Sequence, residues 1–74
     1  MSEEYKNILE RVYETVEECL KEYRRKREHS DYEKGLAEGI YEMADSIRNQ
    51  AIIDEVEIDK KINTIIDELE KAIM

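Results

Sequence analysis

The chain has no proline, phenylalanine or tryptophan, and only one cysteine, one histidine and two glycines in 74 residues. Each shortage excludes something. Without proline, no residue blocks a helix from within. One cysteine rules out an intrachain disulfide. One cysteine and one histidine cannot fill the four positions of a structural zinc site. Gly35 and Gly39 stand four apart inside a helical pattern, so they do not make a phosphate-cradling loop. No apolar run approaches the roughly 18 residues of a membrane span. The opening Met1-Ser2-Glu3-Glu4 is acidic where a secretory leader is basic. With a single reduced cysteine, these features make the cytoplasm the expected compartment and leave the membrane out.

What is present points to helix. Charged residues make up 43% of the chain and hydrophobic residues 41%. The hydrophobic fraction is too large for a disordered segment. Seventy-four residues form a single domain, 1–74, which buries only about 60% of its unfolded surface. Chains this short need a staple. With disulfide and metal excluded, a homo-oligomer, most simply a homodimer, is the expected one.

The apolar residues repeat in steps of four and three. In the first segment Tyr5, Leu9, Val12, Val16, Cys19 and Tyr23 form the seam, flanked by Ile8, Tyr13 and Leu20. Ser2 is the expected N-cap. Ser30-Asp31-Tyr32-Glu33 is an S-x-x-E capping box and opens a second helix. There Leu36, Ile40, Met43 and Ile47 form the seam, with Tyr32 and Ala44 beside it. Gly35 and Gly39 weaken this helix, which predicts another backbone packed close against them. Ile58, Ile62, Ile65 and Leu69 form a third seam, with Ile66 and Ile73 alongside. Asp54 and Glu57 suggest a second capping box, and the stripe breaks at 54–57. The expected fold is all-α: a three-helix bundle with antiparallel helices near 3–28, 31–53 and 57–73. The rival is a long helical hairpin with one helix over 31–73.

Two acidic pairs invite a catalytic reading. Glu14-Thr15-Val16-Glu17 and Glu42-Met43-Ala44-Asp45 place E-x-x-E and E-x-x-D on two helices. This resembles the magnesium site of all-α nucleotide pyrophosphohydrolases of the MazG type. The resemblance implies four carboxylates converging on Mg²⁺ to position a triphosphate. It covers those four residues alone. The seams turn Glu14 away and leave Glu17 off the packed face, and Glu42 and Asp45 likewise face solvent, which reads as a solvated acidic surface. His29 sits at a helix end, where a cation complements the helix dipole. Cys19 lies on the apolar seam as a small hydrophobe. The expectation is a protein that is not an enzyme, with no catalytic residues, metal or cofactor.

Charge then bears on partners. The net charge is −8, with −1 in residues 1–29 and −7 in residues 30–74. An acidic chain is repelled by phosphates, so nucleic acid is disfavoured. The exception is the basic run Arg24-Arg25-Lys26-Arg27, near Tyr23 and Tyr32, which offers an alternative as a nucleic-acid accessory protein. A protein partner fits better, basic and itself nucleic-acid-handling. The candidate contacts are Tyr13 and Tyr41, both off the strict seams; the apolar Ile52, Ile53 and Val56; and the acidic Glu55, Glu57 and Asp59. The expected function is an acidic helical interaction module, an adaptor or inhibitor. Small acidic helical proteins recur among accessory proteins of phages and mobile elements, an analogy of composition only.

Overall fold

The computed structural model describes residues 3–74. It contains three helices: α1 Glu3–Arg24, α2 Asp31–Ile53 and α3 Lys60–Ile73. Ser2, the expected first N-cap, lies outside the described residues. The three helices pack pairwise into a rod of 41 × 17 × 17 Å. Side-chain contacts between helices fix their directions. Tyr5 near the start of α1 reaches Asp54 just after α2, and Lys26 reaches Glu33 at the other end. Tyr41 reaches Glu70, and Arg48 reaches Asp67. Lys61 reaches Glu10. Hence α2 runs antiparallel to both neighbours, and α1 and α3 run parallel.

The core follows the first and third seams closely. Leu9, Val12, Val16 and Leu20 of α1 interlock with Ile62, Ile66 and Leu69 of α3. Cys19, placed on the seam by spacing, is half-buried, and Leu20 takes the fully buried place. The second helix is rolled. Its buried residues are Ala37, Ala44 and Ala51, spaced seven apart. Small side chains on this line let α2 approach both large-residue seams without overfilling the core.

Both connections differ in extent from the sequence expectation. α1 stops at Arg24, not near residue 28. The histidine accounts for this early stop. Its Nε2 donates to the Tyr23 carbonyl at 2.6 Å, and its ring stacks on Tyr23 with centroids 3.6 Å apart. A helical carbonyl is thereby satisfied from outside the helix, and the chain can leave. The Ser30 capping box forms as expected: Glu33 N donates to Ser30 Oγ, and Ser30 N to Glu33 Oε1, both at 3.1 Å.

The break after α2 is real, so no helix spans 31–73. It covers residues 54–59, longer than expected, and α3 starts at Lys60 instead of 57. Asp54 does not open a capping box; it is the C-cap of α2. Glu55 follows at φ 59°, in the left-handed region. Its amide donates to the Ile52 carbonyl, and that of Val56 to the Ala51 carbonyl. This bonding pattern is a Schellman stop. Asp59 then caps α3, accepting from the Lys61 amide at 3.0 Å.

Candidate functional site

Rolling α2 onto its alanines leaves a second apolar face outside. Ala37, Ala44 and Ala51 are at most 2% exposed, whereas Tyr32, Leu36 and Met43 are 78%, 54% and 42% exposed. These three belong to a longer strip. From Tyr32 in helical steps come Gly35, Leu36, Gly39, Ile40 and Met43, then Ser46, Ile47, Gln50 and Ile53. None is charged, in a chain that is 43% charged. A strip of this kind ordinarily faces a core. Here only its edge does, through the half-buried Ile40 and Ile47.

The glycines belong to this strip. A Cβ built at Gly35 or Gly39 would meet nothing within 4 Å. The close backbone approach expected from the sequence is therefore not made within the chain. Each glycine still costs the helix about 1 kcal/mol relative to alanine. The result is a smooth patch of exposed backbone beside Leu36 and Met43.

The strip borders a groove between α1 and α2 with a volume of about 320 Å³. Cys19, Leu36, Ala37 and Ile40 give the groove its apolar lining, and Glu18 and Glu22 line its α1 side. The Lys26–Glu33 ion pair, at 2.8 Å, stands at one end. Burial pushes the Cys19 thiol up, so it remains a neutral, weakly polar group. Across the strip, successive helix positions turn by about 100°, which puts the exposed Glu38, Glu42 and Asp31 on its far edge. The uncharged face thus has an acidic margin on each side.

The residues singled out from sequence fall in several places. Tyr13 is half-buried; its hydroxyl donates to Glu17 at 3.1 Å, and Lys61 Nζ sits 4.7 Å from its ring centre. Tyr41 is half-buried between α2 and α3, and its hydroxyl donates to Glu70 at 2.6 Å. That bond holds the phenol up at about 12. Val56 packs against the core. Ile52 and Ile53 are exposed at the end of α2, and Ile53 extends the uncharged strip. Glu55 is the left-handed turn residue, Glu57 is exposed and Asp59 is a cap.

Two of the four cations of the basic run are paired within the bundle. Arg25 pairs with Glu22 at 3.0 Å, and Lys26 with Glu33. Arg24 ends α1 and Arg27 lies in the turn, both exposed. The four carboxylates of the MazG-like pattern are not brought together. Glu17 accepts from Tyr13, while Asp45 accepts from Arg48 at 2.6 Å. Among the described residues, no three of His, Cys, Asp and Glu converge as a metal would require. Among them, too, no helix is long and apolar enough to cross a membrane.

No protein-family model matches the chain, and neither a curated protein nor a solved structure matches it. The uncharged strip was visible in the sequence as a stretch of α2 free of charge at every third or fourth position. Its exposure was not, because Leu36 and Met43 outrank alanine as core formers.

Proposed function

We propose that the protein is a non-enzymatic interaction module that binds another protein through the uncharged strip of α2 and the adjoining α1–α2 groove. The observation that carries this is the strip itself: large apolar side chains and bare glycine backbone held in solvent along a highly charged chain. Exposed apolar surface of this kind, rimmed by polar residues, marks an interface. Acting by binding also suits the scattered carboxylates, of which Glu17 is engaged by Tyr13 and Asp45 by Arg48. An adaptor or inhibitor role follows, with a basic protein as partner given the charge of −8.

The test is affinity capture with the intact chain as bait, beside a bait carrying Leu36→Glu and Met43→Glu. The wild-type bait retains a protein that the double variant loses, while circular dichroism shows both folded. Equal capture by both baits would place binding elsewhere. The acidic Glu55, Glu57 and Asp59 would then be the next surface to reverse.

A further inference from the structure

The strip and groove are too specific in shape and charge to suit any partner equally. Their length, from Tyr32 to Ile47, is about 22 Å, or four helical turns. Their floor is apolar: Leu36, Ile40 and Met43 from α2 and Cys19 from α1, with Ile8 exposed at the far end. Gly35 and Gly39 lay bare the backbone beside it, with open space where their side chains would be. Such a surface admits a helix at short interaxial distance, its apolar residues seated at every third or fourth position.

The margins decide what that helix carries. Glu18 and Glu22 flank one side, and Asp31, Glu38 and Glu42 the other, all exposed. The cations nearby are Lys26, paired with Glu33, Arg25, paired with Glu22, the exposed Lys34 between Asp31 and Glu38, and Arg11 toward the Ile8 end, which leaves the acids of the two margins in excess. A second copy of this chain would bring another net charge of −8 and face acidic margins with acidic margins. Like charges across an interface oppose association. We infer that the occupant is an amphipathic helix of a partner protein, with an apolar seam flanked by lysine or arginine. This rests on the reading of the strip as a protein-docking surface and adds the partner's form and charge.

A titration with defined peptides tests it. The probes are three synthetic peptides of about 18 residues, with leucine at helical seam positions and lysine, glutamate or glutamine elsewhere. Amide spectra of the labelled intact protein are followed as each is added. The lysine peptide is expected to shift the resonances of Gly35, Leu36, Gly39, Met43 and Cys19 to saturation. The glutamate peptide is expected to leave them unmoved, and the glutamine peptide to bind at least about tenfold more weakly.

The variant Leu36→Glu with Met43→Glu separates docking from bulk charge attraction. It makes the face more acidic, so simple attraction would tighten lysine-peptide binding, whereas loss of the apolar seats weakens it. Gly39→Leu serves as a second variant that leaves the core untouched, and it too should weaken binding. Tighter binding by the acidic variant, or shifts spread over Glu57, Asp59 and Asp67, would overturn the inference. Equal binding of the glutamine peptide would keep the docking face and remove the basic partner. Concentration-dependent broadening at Leu36 and Met43 in the free protein would overturn it by naming a second copy as the occupant.

Discussion

The amide of Val56 donates to the carbonyl of Ala51 at 2.8 Å, and this bond turns the chain from α2 into α3. Between them Glu55 takes φ 59°, a conformation in which a β-carbon crowds the following carbonyl. Glycine carries no such penalty, although it also widens the unfolded ensemble. Glu55→Gly is therefore expected to raise stability by about 0.5–1 kcal/mol, read from urea unfolding. A loss of stability would mean that the glutamate side chain holds the turn.

Gly35→Ala and Gly39→Ala each add a methyl group into open space. Each is expected to stabilise the free protein by about 1 kcal/mol through helix propensity alone. Thermal unfolding of the two single variants and the double variant checks this. Additive gains are expected, and a destabilised variant would reveal a neighbour at these positions.

Acid and alkali are expected to act through two named groups. The Lys26 ammonium, with Ser30 beside it, holds the Glu33 carboxyl down at about 2. Its usual value is about 4.3 in the unfolded chain. The stability it contributes is present above the unfolded value and is lost as pH falls toward the folded one. Glu33→Gln, which keeps an acceptor for the cap, should flatten the acid limb of a stability–pH curve.

Tyr41 acts in the opposite limb. Its phenol is held at about 12, chiefly by its bond to the Glu70 carboxylate, against an ordinary value of about 10. Between those values the unfolded chain releases a proton that the folded chain keeps. Stability is complete below the lower value and falls as pH rises through the higher. Tyr41→Phe should remove much of that alkaline slope in fluorescence-monitored unfolding.

His29→Ala removes the donor to the Tyr23 carbonyl and the ring stacked on Tyr23. A loss of about 1–2 kcal/mol is expected from one short hydrogen bond and one aromatic contact. Amide exchange at the end of α1 should quicken at the same time.

The fold was legible in the sequence where apolar size and spacing agree. Leu9, Val12 and Val16, and Ile62 and Leu69, lie where steps of four and three place them. Ser30 and Glu33 form the box that their types and spacing announce. The second helix departs from its apolar spacing because hydrophobicity says nothing of volume: Leu36 and Met43 fit the seam, yet the slot between two rows of Leu, Val and Ile is filled by alanine. The helical pattern runs on into Arg25–Glu28 although α1 ends at Arg24, since the deciding bond joins His29 to a carbonyl six residues back. Asp54 looked like a cap for the next helix and caps the previous one. The outward face of α2 follows from the same roll, so the candidate surface stayed hidden within a supposed core.

The most direct measurement is urea unfolding of two single variants, Leu36→Glu and Ala44→Glu. Leu36 is 54% exposed and Ala44 is 0% exposed. If the Tyr32–Met43 strip faces outward, Leu36→Glu keeps a cooperative fold with a loss of about 1 kcal/mol or less, since half of the side chain was never buried. Ala44→Glu then forces a charge and extra volume into a filled core and leaves the chain unfolded in the absence of urea. The reverse outcome, with Leu36→Glu unfolded and Ala44→Glu folded, would put the strip inside the bundle and contradict its role as a docking surface.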